Sequence, residues 1–404
     1  MAIYLKVLGC RLNQAEADGW DGVTLTARPE DAGLAVLHGC AVTARSERKA
    51  RQLLYRWRRL PGARRLAVTG CLARHWLATG GAPDGVELVA RGWPVPPAES
   101  GSAAVTPPAG RTRRTLKLQD GCTHRCTYCI VPSLRPGQWH AEPAAALAQV
   151  GRWLADGVKE IVVSGLHLGS YRFGGWNLAR WLQAALALPG EFRLRLSSLE
   201  PHAIDDELLA LLAAAAPRLC PHLHLPVQSG ADAVLRRMNR PYDRAQLDVL
   251  TGRIRRLLPD AALTVDCIVG FPGETAADFA ATLDLVRRLD CARAHVFPFS
   301  PRPGTPAALF ADRVPSGIAQ ARVAELYGVV AATAHAYRAR FTGRTVTVLT
   351  EKTRSGYSEN YLPVTLDRDC PGNTLVRARV SGVTADGLAA IVLADTASTA
   401  GDNG

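Results

Sequence analysis

Six of the ten cysteines in this 404-residue chain fall into two triplets. The compact one is Cys122, Cys126 and Cys129, a C-x3-C-x2-C loop in Gly121-Cys122-Thr123-His124-Arg125-Cys126-Thr127-Tyr128-Cys129. The dispersed one is Cys10, Cys40 and Cys71, each preceded by glycine and each ending an apolar run: YLKVLGC, GLAVLHGC and RRLAVTGC. Thiolates are soft ligands suited to iron–sulfur clusters, which normally take four of them. Three leave one iron without a protein ligand, free for a substrate or a sulfur atom. Two incomplete sites in one chain point to redox chemistry rather than to a structural staple. The compact loop suits three irons of a 4Fe–4S cluster whose fourth iron chelates S-adenosylmethionine. An electron then cleaves the sulfonium C–S bond to give a 5′-deoxyadenosyl radical, and the protein positions the reactants and excludes water. Zinc, with His124 or a distant residue as fourth ligand, is the alternative for this loop, although nothing else in it forms a second C-x-x-C pair. Cys220, Cys267, Cys291 and Cys370 share no spacing and read as buried, inert thiols.

The elements that must position these residues follow from the apolar pattern. Residues 1–93 read as three short βα units whose strands end in Gly-Cys, with a helix over Arg45–Arg59. In a parallel sheet the carboxyl ends of the strands share one edge, so cysteines about 30 residues apart converge there. Residues 94–110 carry five prolines and no periodicity, the signature of a linker. Across 111–340 strand and helix patterns alternate six times, with strands at 115–119, 160–164, 193–198, 222–227, 264–269 and 293–299. Helices are expected over 143–156, 205–215, 243–257 and 276–288, and a connecting helix over 316–340. Repeated βα units predict a parallel sheet, here a six-unit partial barrel whose working residues lie at the strands' C-terminal ends. Residues 341–394 show short β-rich runs between Gly, Asp and Asn turns, which fits a small antiparallel β-barrel. The tail 395–404 reads as disordered. The fold class is thus α/β with a C-terminal β-barrel.

Size and composition set the remaining bounds. At 404 residues the chain is long enough for two or three domains. No apolar run approaches the roughly 18 residues of a membrane span, and the N-terminus lacks the charged region and apolar core of a secretion signal. A cytoplasmic location is expected, where clustered cysteines serve as metal ligands or catalysts. Net charge is +12, and nine Lys/Arg against one Glu lie between Arg45 and Arg65, with Tyr55 and Trp57 among them. A second basic group, Arg111, Arg113, Arg114 and Lys117, precedes the compact triplet. Such density predicts phosphate contacts with nucleic acid, against the alternative of a solvated helix.

The stretches LGCRLNQAEAD, CAVTARSERKARQ, VTGCLAR, LKLQDGCTHRCTYCIVPSLR, RLSSLEP, HLHLPVQSGADAVLRRMNRPY, DCIVGFPGETAADF and HVFPFSPRPGTPAA resemble the radical-SAM methylthiotransferases over nearly the whole chain. That family inserts sulfur and a methyl group into an unactivated C–H bond. The opening LGCRLNQAE and the segment Gly356-Tyr357-Ser358-Glu359-Asn360-Tyr361-Leu362 resemble the subfamily acting on threonylcarbamoyladenosine of tRNA. The resemblance implies an N-terminal domain with an auxiliary 4Fe–4S cluster on Cys10, Cys40 and Cys71. It further implies a radical-SAM barrel with the second cluster on Cys122, Cys126 and Cys129, and an RNA-binding TRAM barrel. S-adenosylmethionine would serve both as methyl donor and as radical source. Gly165, Glu200, Gln228, Gly270 and Gly273 stand at the strand ends expected to contact it. Their plainer readings are a solvent-facing Glu200, a Glu274 serving the helix dipole, and His222 and His224 as barrel-interior histidines. Implied partners are the tRNA anticodon arm, an electron donor such as flavodoxin or ferredoxin, and a sulfur source, with no membrane. Isopentenyladenosine of tRNA and a ribosomal-protein aspartate are alternative targets of the same chemistry. A non-catalytic iron–sulfur RNA-binding protein is the alternative of another class. The chain departs from the family in having His38-Gly39-Cys40 where Asn-Thr-Cys is usual, in a shorter Cys10–Cys40 gap, and in Pro136-Gly137-Gln138-Trp139-His140 after Arg135.

Overall fold

The computed structural model describes residues 2–18, 25–61, 65–90 and 112–394. The expected linker at 94–110 and the tail at 395–404 lie outside them. The N-terminal layer is a parallel sheet of Ile3–Leu8, Leu34–Gly39, Arg65–Gly70 and Val86–Val89, in that order. The last of these strands, only four residues long, was not expected from the sequence. Leu34, Ala35, Val36 and Leu37 are all fully buried, Ala35 and Leu37 in a cluster with Leu54, Trp57 and Trp76 of the helices, Leu34 and Val36 in a second cluster with Ile3, Leu25 and Ala67. Thr43 caps the helix Ala44–Arg58 by accepting from the Ser46 amide, and Ala50, Leu54 and Trp57 form its buried stripe. Trp57 meets the ring of Tyr4 edge-on at 5.4 Å.

The central wall has six strands in two parallel sets. Arg113–Lys117, Glu160–Ser164 and Arg193–Leu196 form one; His222–Gln228, Ala262–Val269 and Arg293–Pro298 form the other. Isolated bridges Leu194↔Leu219 and Ser198↔His224 join the sets, so the six-unit wall carries a seam in its middle. Pro226 cannot donate to the ladder, and the register slips between Leu225 and Gln228. The slip leaves Gln228 at a φ of 65°, turned out at the strand end. Outer helices Pro143–Ala155, Leu178–Leu186, Asp206–Ala214, Arg244–Leu257 and Ala276–Leu289 start on Glu142, Asn177, Asp205, Asp243 and Thr275, each accepting a first-turn amide. The Thr275–Asp278 pair expected from the sequence is a reciprocal capping box.

The long helix Ser316–Ala339 leads into a closed five-stranded barrel of Thr345–Lys352, Ser355–Ser358, Pro363–Leu366, Leu375–Val383 and Leu388–Val392. It is antiparallel except where Pro363–Leu366 pairs with Leu388–Val392. This barrel docks under the central wall through Glu160, which is fully buried and pairs with Arg113 at 2.7 Å, Arg193 at 2.6 Å and Arg195 at 3.0 Å. Burial pushes the Glu160 carboxyl up, but the three guanidiniums hold it well below the ordinary carboxylate range. Arg193 and Arg195 pass their remaining donors to the carbonyls of Thr347, Tyr357, Ser358 and Glu359. The segment 356–362 therefore forms this interdomain contact.

The second basic group is not a phosphate-binding surface over its described residues. Arg113 is spent on Glu160 and Glu351, Arg114 is buried over Trp153, and Lys117 pairs with Glu16 and Asp120. Composition registers charge without registering buried carboxylates that consume it.

Candidate cluster sites and the cavity between them

The compact loop begins at Gly121, whose φ of 77° and packing leave no room for a side chain: a Cβ there would lie 2.1 Å from the Gly137 carbonyl oxygen. The loop is then held from outside. Thr127 donates its amide to Met238 O at 3.0 Å and its hydroxyl to Arg237 O at 2.8 Å. Asn239 donates to Arg125 O at 2.9 Å, and the Ala307 amide to Thr127 O at 2.8 Å. Arg240, almost wholly buried, places Nη1 3.2 Å from Cys126 Sγ, donates to Tyr242 Oη at 2.9 Å and pairs with Glu200. Glu200 thus sits beside the compact triplet, not in solvent. Burial pushes its carboxyl up against the opposing pull of Arg240.

The dispersed triplet is assembled by sheet register. Leu8 pairs with Gly39 and Gly39 with Gly70, so the next residues in line, Gly9-Cys10, Cys40 and Cys71, share one edge. Backbone and side chains close around them. Asn13 donates to Gly39 O at 3.1 Å, the Val42 amide to Cys40 Sγ at 3.4 Å, and Arg135 Nε to Cys71 Sγ at 3.0 Å. A Cβ on Gly39 would stand 2.7 Å from Leu72 Cδ2, so this chain's Gly39 matches the close approach of the helix that starts at Cys71. His38 contacts Glu16 at 3.0 Å.

The donor sets fit clusters better than a single zinc ion. Four sulfurs around one zinc stand about 3.8 Å apart, given a Zn–S distance near 2.3 Å. In neither triplet do all three Sγ atoms approach within 4.8 Å of one another, yet Cys40 and Cys129 each feel the other two sulfurs of their triplet. Three gathered thiolates are the donor set that a cube of iron and sulfide takes when one of its irons is left open. Burial foremost, then the neighbouring sulfurs, push Cys40 and Cys129 up to about 12, and burial raises Cys10 and Cys122 as well. Metal-free, these four thiols stay protonated at neutral pH, so their ligation releases protons. The remaining cysteines, Cys220, Cys267, Cys291 and Cys370, are buried and lie outside both sites.

Two ionic contacts that sequence reading missed fix the N-terminal layer onto the central wall. Arg135, buried, pairs with Glu16 at 2.7 Å and Asp120 at 2.8 Å while touching Cys71, so one side chain spans both cluster regions. Burial pushes Glu16 up, but Arg135 and His38 hold it far below the carboxylate range. Arg302 donates to Glu47 Oε2 at 3.0 Å and His75 Nε2 at 2.9 Å, and Trp76 Nε1 donates to Glu47 Oε1 at 2.9 Å. Glu47 is raised by burial yet carried down to about 2 by these donors and Arg51. The partners that cross between the two layers lie 64 to 255 residues apart in sequence, which leaves no local spacing to detect.

The docking creates a cavity of about 560 Å³ onto which Cys10, Cys40, Cys129 and Gln228 all open. Its wall carries Asp266, which accepts from His224 Nε2 at 2.7 Å, while Ser198 donates to His224 Nδ1 at 3.0 Å. His222 bonds Thr264 Oγ1 at 3.0 Å inside the wall. Gly165 packs on Gln119 with its amide toward Ser197 Oγ. Gly270 and Gly273 face Ala319 and Asp312 instead, and Glu274 is buried against Arg322. Beside the compact loop, the rings of His124, His167 and His202 meet edge-on or tilted, with centroids 4.6–5.4 Å apart. Burial foremost lowers His167 and His202 to about 4 and keeps them neutral.

Residues 116–286 match the radical SAM superfamily, and residues 2–79 match the uncharacterized protein family UPF0004. The chain is 33% identical over 396 residues to threonylcarbamoyladenosine tRNA methylthiotransferase MtaB of Thermotoga maritima, covering 89% of this chain and 90% of that protein. It is 42% identical over 237 residues to tRNA-2-methylthio-N(6)-dimethylallyladenosine synthase of Acidothermus cellulolyticus, covering 58% of this chain and 48% of that protein. Its fold resembles the radical S-adenosylmethionine methyltransferase TsrM of Kitasatospora setae, with a TM-score of 0.52 at 15% identity over 81% of this chain and 88% of that one.

Proposed function

This chain belongs to the radical-SAM methylthiotransferase family, and we propose that it converts N6-threonylcarbamoyladenosine-37, beside the tRNA anticodon, to its 2-methylthio derivative. S-adenosylmethionine and two 4Fe–4S clusters are the enzyme's cofactors. Cys122, Cys126 and Cys129 would hold one cluster, and Cys10, Cys40 and Cys71 the other. When bound, these groups supply an electron and a radical on one side and sulfur on the other. The observation that carries the reading is the single cavity shared by Cys10, Cys40 and Cys129, since methylthiolation needs one carbon to face both centres.

The chain's own residues orient and enclose. Arg240 holds Glu200 beside the compact loop, Arg135 touches Cys71 while pairing with Asp120 just before that loop, and Gln228 lines the cavity. Glu200, Gln228 and Gly165 are the S-adenosylmethionine contacts this arrangement favours; Gly270 and Gly273 would act through the shape of their loop. For the polyanion, the helix Ala44–Arg58 exposes Arg45, Arg48, Arg56 and Arg58 together with Tyr55, 49% exposed. That face suits salt-sensitive contacts with an anticodon arm, whose splayed base can enter the cavity. An electron donor of the flavodoxin or ferredoxin kind and a sulfur source complete the turnover. No described helix is long and apolar enough to cross a membrane.

The likeness to the dimethylallyladenosine enzyme supports a second reading, the same chemistry on isopentenyladenosine. Mass spectrometry of tRNA nucleosides from a strain lacking the protein separates the two. Loss of the methylthio-threonylcarbamoyl nucleoside is the expected result; its persistence, with loss of the isopentenyl counterpart, selects the second reading.

A further inference from the structure

The cavity between the two cysteine triplets has a division in its lining that bears on which adenosine it accepts. One side is apolar and aromatic: Tyr128, Ile268, Phe297 and Phe299. Phe297 is a large ring left 42% exposed at a strand end, where a stacked base would cover it. Among the described residues, two charged side chains line the cavity, Asp266 and Lys49. Asp266 is already engaged by His224. Lys49, by contrast, has no ion pair or hydrogen bond among the described residues, although its neighbours Glu47 and Arg51 pair with each other. The hydroxyls of Thr43 and Ser46, which line the cavity on the same helix, bond one another and cap the first turn, so they are spoken for.

We propose that Lys49 is the specificity residue of this enzyme, binding the carboxylate of the amino-acid substituent on N6 while the purine stacks along Phe297. This deepens the threonylcarbamoyladenosine reading and rests on it. The two substituents in question differ at the atom Lys49 meets. A threonylcarbamoyl group ends in a carboxylate, which an ammonium binds with a charge-assisted hydrogen bond. A dimethylallyl group is pure hydrocarbon, and placing it against an ammonium desolvates the charge with nothing in return. Specificity therefore comes from attraction of one substrate and rejection of the other. Lys49 lies on the helix that follows Cys40 and is exposed, so it meets the cavity from the solvent side, while Cys10, Cys40 and Cys129 also line it.

The test compares wild type, Lys49→Met and Lys49→Arg, reconstituted anaerobically and matched for iron content, on tRNA carrying either the threonylcarbamoyl or the dimethylallyl group. Lys49→Met is expected to raise KM for threonylcarbamoyl tRNA about 10- to 100-fold, the range for losing one hydrogen bond to a charged group. Lys49→Arg should restore most of that loss. The dimethylallyl tRNA should gain relative to the threonylcarbamoyl one, shifting the selectivity ratio by at least the same factor. Binding of tRNA with an unmodified target adenosine serves as the phosphate control. An unchanged KM in Lys49→Met, or an equal loss on all three tRNAs, overturns the proposal while leaving the enzyme's substrate intact. If wild type itself processes only dimethylallyl tRNA, the functional reading and this proposal fall together.

Discussion

The two cysteine sites are built by opposite strategies. The compact triplet occupies eight consecutive residues, 122–129, and depends on distant contacts only to hold its loop in place. The dispersed triplet has no local existence: Cys10, Cys40 and Cys71 meet only because three strands pair in one register. A loop tolerates small shifts of its supports, whereas a slip of one residue in a sheet turns every side chain to the other face. The difference teaches that the second site is a property of the N-terminal fold and of its docking, and should be the more fragile of the two.

The largest expected effect separates the sites by chemistry. Alanine at Cys122, Cys126 or Cys129 should abolish deoxyadenosine formation in an anaerobic assay. Alanine at Cys10, Cys40 or Cys71 should leave deoxyadenosine formation intact and stop methylthio insertion. Equal losses from both sets would break the division of labour. Next in size is Arg135→Ala, which leaves Glu16 with only Lys117 and His38, and Asp120 with only Lys117, as side-chain partners among the described residues. It should cost about 2–3 kcal/mol, seen as a lowered unfolding midpoint in denaturant, and should deplete iron from the dispersed site first.

How much of this was legible beforehand follows the same contrast. The compact loop is a spacing, and spacings are visible in one dimension. The repeated Gly-Cys endings were readable too, because apolar strands ending at equal places imply a shared edge. The wall strand at Glu160–Ser164 sits where its apolar run stands, with the buried Glu160 at its start. The seam beside His222–Gln228 was not legible, since the two sets meet there through the isolated backbone bridges Leu194↔Leu219 and Ser198↔His224, which leave no mark in the apolar pattern. Arg135, Arg240 and Arg302 escaped notice for a further reason. An arginine's partner is chosen by the fold, and their carboxylates lie 15 to 255 residues away. The same blindness made Arg113, Arg114 and Lys117 look like a surface for phosphate.

Smaller effects sharpen the comparison. Gly9→Ala places a Cβ 2.8 Å from Asn13 Nδ2 and 3.0 Å from Cys40 Cβ at a φ of 154°, so it should cost about 1–3 kcal/mol and weaken only the dispersed site. Gly121→Ala should do the reverse; iron content of each variant reads out which site gives way. The smallest effect is on acid stability. Glu47 titrates at about 2 in the folded chain against an ordinary 4.5, so its contribution is complete above about pH 4.5 and is lost as pH falls toward 2. Glu47→Gln should lower the melting midpoint near neutral pH and flatten its decline between pH 4.5 and 2, measured by scanning fluorimetry.

The central claim is that two separate three-thiolate sites each hold a cluster. Iron and sulfide analysis after anaerobic reconstitution tests it most directly. The wild type should carry about eight irons and eight sulfides per chain, and triple-alanine variants of either triplet about four of each. Zinc in place of iron, or loss of all the iron when either triplet is removed, would contradict the account.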